Sequence, residues 1–125
     1  MYLLYKPNTY SAINFKGHSQ STRTVKMPDL MNAVVVEKSG GPEELKFFDN
    51  WKRPKPGKGE VLIRVKAFGL NRGELLTRQG FSSTVNFPRV LGIECVGIVE
   101  EENETNFFSG QKVVATTGGM GRLFD

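Results

Sequence analysis

The sequence predicts a mainly β domain, a partly open barrel with one or two short helices. Three observations carry that expectation. Short β-branched or alternating apolar runs recur at 33–36, 61–65, 90–99 and 113–115, separated by turn-forming residues. A single stretch, 71–80, has both helix-start and helix-stop chemistry. Strand and helix nowhere alternate in the way that builds a parallel sheet.

Composition narrows the function classes before any motif is read. At 125 residues the chain is one domain in size, and with 38% hydrophobic residues it can bury a modest core. No apolar run approaches the roughly 20 residues that span a bilayer. The net charge of +4 is concentrated early: Lys6, Lys16, Arg23 and Lys26 stand against Asp29 alone in the first 31 residues. The remainder is near neutral and lacks a basic stripe, which argues against a nucleic-acid partner. With one cysteine, Cys95, and one histidine, His18, the chain has no internal disulfide, no Cys/His zinc site and no Cys-His or Ser-His-Asp couple in its folded part. His18 reads as a solvated residue, and Cys95 as an inert buried thiol.

Residues 1–30 are rich in Ser, Thr and Asn among scattered basic groups and show no period. They are expected to be a disordered or weakly ordered basic extension. A transit peptide is an alternative, as is an upstream start with Met27 or Met31 as the true beginning.

From Met31 the elements follow in order. Ala33-Val34-Val35-Val36 is a strand ended by Ser39-Gly40-Gly41-Pro42, and Glu44 to Asp49 is a weaker second strand. Arg53-Pro54-Lys55-Pro56-Gly57-Lys58-Gly59 forces an extended connection and a turn. Glu60 to Gly69 is the strongest strand, with Val61, Ile63 and Val65 on one face. Asn71 then sits where a helix N-cap belongs, Glu74 three residues later completes a capping box, and Gly80 is a C-terminal stop. After a loop over 81–88, Val90 to Glu100 is one bent strand or a strand pair. Its Gly92 and Gly97 mark a bulge or a close approach of neighbouring backbone. Glu100-Glu101-Glu102 with Glu104 reads as a solvated acidic turn, and Val113-Val114-Ala115 as the last strand. Gly119-Met120-Gly121 lacks the spacing of a dinucleotide fingerprint.

Taken in this order, several pieces carry a resemblance. They are Ala33 to Val36 followed by Gly40-Gly41-Pro42-Glu43, Pro56 to Val65, Gly69-Leu70-Asn71-Arg72, Arg78-Gln79-Gly80, Leu91 to Glu94 with Gly97-Ile98-Val99, and Gly110 to Val113. Residues 31–125 resemble the amino-terminal, GroES-like domain of the medium-chain dehydrogenase/reductase superfamily, in its zinc-independent quinone oxidoreductase (zeta-crystallin-like) branch. Zinc-dependent alcohol dehydrogenases of this superfamily carry a Cys-His pair at the turn and a Gly-His-Glu later. Here Asn71-Arg72 and Gly92-Ile93-Glu94 stand in those places, so the resemblance implies no metal.

The resemblance further implies hydride transfer from NADPH to a quinone or enone, with the cofactor bound mainly by a Rossmann domain absent from this chain. This polypeptide is then expected to be a fragment, inactive alone, of a cytoplasmic homodimer. The alternatives are a non-catalytic GroES-like ligand-binding or interaction module, and a mitochondrial enoyl reductase with residues 1–30 as its transit peptide.

Asn71 is the candidate catalytic and cofactor-binding residue by resemblance, placed to hydrogen-bond cofactor or substrate oxygen. It is equally a helix cap. Arg72 and Phe81 are the candidate substrate contacts. Phe81 stands near where quinone reductases often carry a tyrosine; without the hydroxyl it can stack on a flat ring, and the alternative is a core or loop-packing role. Glu94, a carboxylate in an apolar run, is expected to be held in a structural salt bridge.

Overall fold

The computed structural model of the chain describes residues 2–5, 13–14 and 29–116. Two sheets and one short helix make up the domain, as the strand pattern predicts. Sheet one has the order β1 (Tyr2–Tyr5), β5 (Glu60–Phe68), β7 (Glu94–Asn103), β8 (Lys112–Thr116), β2 (Ile13–Asn14), and all its pairings are antiparallel. Sheet two has the order β4 (Leu45–Lys52), β3 (Leu30–Val36), β6 (Arg89–Val90). Neither sheet closes on itself among the described residues. A 3-10 turn, Pro42–Glu44, follows β3, and the helix α1, Arg72–Arg78, follows β5.

Strand β5 organises the packing, because its first residues are buried on both faces. Val61 and Ile63 point into one core with Cys95, Val99, Val113 and Ala115. Leu62, on the opposite face, enters a second core with Met31, Ala33, Val35 and Val90 of sheet two. Phe48 and Trp51 cover that second core, their rings 5.5 Å apart and tilted. Each fully buried aliphatic side chain stabilises such a core by about 2 kcal/mol, so the run 61–63 joins the two sheets.

Gly97 is the close approach that the sequence predicts. A Cβ there would lie 2.5 Å from the Arg64 carbonyl oxygen on the neighbouring strand. The 90–100 stretch resolves as the strand pair β6 and β7, interrupted at 91–93.

The acidic turn expected at Glu100-Glu101-Glu102 is not one. These residues continue β7, opposite Val61 and Leu62, and the chain turns only after Asn103, where Glu104 has a positive φ of 53°. Glu100 is drawn in by two guanidinium groups: Arg53 Nη2 lies 3.3 Å from its Oε2 and Arg64 Nε 3.0 Å from its Oε1.

At the amino end, the strands at 2–5 and 13–14 occupy opposite ends of sheet one. The rest of residues 1–28, His18 among them, and the glycine-rich stretch from Thr117 onward lie outside the described residues.

Candidate functional site

The site is built where β5 ends and α1 begins. Asn71 is the N-cap, in extended conformation at φ −119° and ψ 145°, and Glu74 is the N3 residue. The Glu74 carboxylate does two jobs. Its Oε2 accepts the Asn71 backbone N–H at 3.2 Å, the returning half of the predicted capping box. Its Oε1 accepts the Ile93 N–H at 2.9 Å, tying the head of the helix to the turn that enters β7. The sequence pattern identifies the first contact; the second joins residues 19 apart in sequence and has no local signature.

The far end of α1 is closed by glycine. Phe81 N–H bonds the Leu76 carbonyl and Gly80 N–H the Thr77 carbonyl, both at 3.0 Å, with Gly80 at φ 91°. This is a Schellman ending, which needs a residue that tolerates a positive φ. Arg78 is buried there and is held reciprocally: its Nη1 donates to the Gly40 carbonyl at 2.5 Å, and Gly40 N–H donates to the Arg78 carbonyl at 2.9 Å. The helix is therefore pinned at both ends, and Asn71 is held in place by more than its own turn.

Across the helix head lies Glu94. Asn71 Nδ2 donates to Glu94 Oε1 at 3.3 Å, and the same carboxylate covers Gly69, where a Cβ would lie 2.1 Å from Oε1. The salt bridge expected for Glu94 does not form among the described residues. Its side chain is exposed because, at the start of β7, it alternates outward while Cys95 turns into the core. An uncharged amide, not a cation, is its partner.

Arg72 is exposed at the first helical position, adjacent to Asn71. Phe81 is 75% exposed but follows the far end of α1, so a seven-residue helix, about 10 Å long, separates it from Asn71. The structure thus brings Asn71, Arg72, Glu74 and Glu94 together and leaves Phe81 apart. Beside Asn71 it also exposes two apolar residues that sequence reading does not single out, Phe68 at 53% and Leu70 at 88%. They lie at the end of strand β5 and in the turn after it, and two large apolar residues just before a helix cap are the available signal.

Cys95 is buried, and burial pushes its thiol up to about 11. It is inert, as expected. Among the described residues no group of three or more His, Cys, Asp or Glu side chains is placed to hold a metal ion, and no helix is long and apolar enough to cross a membrane.

An open, mainly β pair of sheets with one capped helix following β5 defines the GroES-like class of oxidoreductase domain. The chain belongs to the alcohol dehydrogenase GroES-like domain family, whose pattern matches residues 57–122, and to the zinc-independent side of the medium-chain dehydrogenase/reductases. It is 40% identical to an acryloyl-coenzyme A reductase of Sulfurisphaera tokodaii over 68% of its own length and 25% of that protein. It is 34% identical to the quinone oxidoreductase of Lama guanicoe, covering 70% of this chain and 28% of the relative. The crystal structure of the human synaptic vesicle membrane protein VAT-1 homolog-like protein superposes with a TM-score of 0.65 at 39% identity, over 71% of this chain and 29% of that one. The chain therefore spans about a quarter of the length of these relatives.

Proposed function

We propose that this chain is the substrate-side domain of an NADPH-dependent oxidoreductase that reduces a conjugated carbonyl compound, a quinone or an enone, without zinc. The observation that carries the reading is the Asn71–Glu94 contact at the helix head, where by resemblance Asn71-Arg72 stands in place of the Cys-His pair and Ile93 in place of the later histidine of zinc-dependent relatives. The relatives named for a quinone and for an acryloyl thioester support the substrate class, since both compounds hold a carbonyl conjugated to a double bond.

The described residues fit one end of the cofactor and not the other. Exposed Phe68 and Leu70 beside the Asn71 amide suit a flat ring with a polar edge, whereas no glycine-rich turn opens α1 toward a phosphate. The cofactor's phosphate end is then held elsewhere in the whole protein.

When bound, reduced nicotinamide supplies a hydride, two electrons and a proton together, to the conjugated carbon. The residues of this chain act at the substrate. Phe68 and Leu70 exclude water from one face, and Asn71 orients the carbonyl group. Arg72, exposed at the first helical position, suits a charged substituent. Negative charge gathers on the carbonyl oxygen as the π electrons shift, and a solvent proton neutralises the product. A homodimer in the cytoplasm is the assembly that this reading takes for the whole protein.

A fluorescence titration of the 125-residue chain with NADPH tests the division of labour. The expected result is no saturation in the micromolar range; micromolar binding would overturn it. A second reading, a non-catalytic ligand-binding module, is favoured by the similarity to the VAT-1 homolog-like protein, whose name carries no reaction. Consumption of NADPH by the whole protein with a quinone or an enoyl thioester separates the two.

A further inference from the structure

Building on the proposed role of Asn71, we propose that Asn71 meets the substrate as a hydrogen-bond donor, through its second Nδ2 hydrogen, and that Glu94 is the positioning residue that fixes this polarity.

An asparagine amide has a donor end and an acceptor end of nearly equal shape, and its partners decide which way it lies. Glu94 decides it here. An ionised carboxylate only accepts, so the atom 3.3 Å from Glu94 Oε1 is Nδ2. An Oδ1 in that place would set two acceptors against each other. The carbonyl end faces the start of α1 in the capping-box arrangement, beside the Glu74 N–H that bonds the Asn71 backbone carbonyl at 3.1 Å. One Nδ2 hydrogen is thereby committed within the protein. One Nδ2 hydrogen remains, on a half-buried side chain that follows exposed Phe68 and Leu70 in sequence.

A remaining donor suits a ligand atom that only accepts, and a quinone or enone oxygen is one. During reduction that oxygen gains negative charge, so a donor held in advance by Glu94 stabilises the transition state more than the ground state. Glu94 itself lies over Gly69, where the missing side chain leaves the carboxylate its place: an added Cβ would come 2.1 Å from Oε1. Glu74, the other carboxylate at this end of the helix, is already used by the backbone N–H groups of Asn71 and Ile93 and does not compete for the amide.

The test reverses the polarity of the bond. Asn71→Asp with Glu94→Gln keeps the contact, with the introduced glutamine amide now donating to the introduced aspartate carboxylate, and aspartate remains a good N-cap. Amide spectra of the 125-residue chain are expected to keep the α1 signals, while turnover of the whole protein stays about 100-fold down, the scale of a lost transition-state donor. Turnover restored to within about twofold would overturn the donor role, because a merely structural pair survives the swap.

Glu94→Ala alone is expected to move the Asn71 side-chain amide signals in the 125-residue chain and to lower kcat about tenfold with KM unchanged; Glu94→Gln, which still offers an acceptor, restores both. Unmoved Asn71 signals in Glu94→Ala would overturn the geometry whatever the enzyme does. Moved signals with unchanged turnover would instead overturn the assignment of Asn71 to the substrate, and the donor role with it.

Discussion

Arg53 reaches from the end of β4 to Glu100 on β7, Nη2 to Oε2 at 3.3 Å, and both side chains are less than one tenth exposed. Arg53 also meets Glu101 Oε1 at 2.6 Å, and Glu100 receives Arg64 as well. Two acids and two bases thus join sheet two to sheet one at the edge of the second core. Breaking a buried pair by deleting one partner strands the other charge, at a cost of about 3 kcal/mol or more. Glu100→Ala leaves Arg53 with Glu101 as a partner, so less than that full cost is expected, about 1.5 to 3 kcal/mol, read as a lower urea midpoint. The exposed pair Lys58–Glu104, at 2.9 Å with 80% and 59% exposure, is the control: Lys58→Ala is expected to change stability by less than about 0.5 kcal/mol.

That network shows where sequence reading stops. A run of three glutamates next to a fourth has the composition of a solvated turn, and composition alone cannot reveal that two arginines from 47 and 36 residues upstream converge on it. The strands at 33–36, 60–68 and 113–115 were legible because alternation or a β-branched run reports a buried face directly. Helix α1 was legible at both ends because Asn71, Glu74 and Gly80 act on backbone within a few residues of themselves. The candidate site was legible only in part. Asn71 and Arg72 belong to one turn, but the partner of Asn71 lies 23 residues away on another strand, and its exposure depends on which way β7 alternates.

Two glycines separate local propensity from tertiary space. At Gly97 an added Cβ would lie 2.5 Å from both the Arg64 carbonyl oxygen and Ile63 Cγ2, and backbone cannot yield cheaply. Gly97→Ala is expected to cost more than about 2 kcal/mol, because β5 and β7 must separate. Gly73, inside α1, has nothing within 4 Å of an added Cβ. Gly73→Ala removes a poor helix former and is expected to stabilise by about 0.5 to 1 kcal/mol. Urea melts of the two variants, read against the parent chain, check both signs.

Cys95 gives a pH dependence whose direction follows from burial. Its folded value is raised to about 11 from an unfolded value near 9. As pH rises through 9 the unfolded chain loses its thiol proton while the folded chain keeps it. The folded state then binds more protons, and stability falls with pH until about 11. Melts between pH 8 and 11 are expected to show a decline that is shallower in Cys95→Ala. A disulfide reagent is expected to label Cys95 only after unfolding; rapid labelling of the native chain at pH 8 would contradict the burial.

Gly69→Ala probes the site without replacing Asn71 or Glu94. The new Cβ would lie 2.1 Å from Glu94 Oε1 and 3.0 Å from Cδ, so something must move. What it meets is the end of an exposed, flexible side chain and not backbone, so the carboxylate swings away at small cost. Stability is expected to change by less than about 1 kcal/mol. The Asn71 amide, however, loses its acceptor at 3.3 Å. Its side-chain signals are expected to shift in the same direction as in Glu94→Ala, while the backbone signals of α1 stay in place, because Glu74 still bonds the Asn71 and Ile93 N–H groups. If Gly69→Ala instead unravels α1, Gly69 supports the helix and not the carboxylate, and the Asn71–Glu94 contact is a consequence of the fold with no separate role in holding the amide.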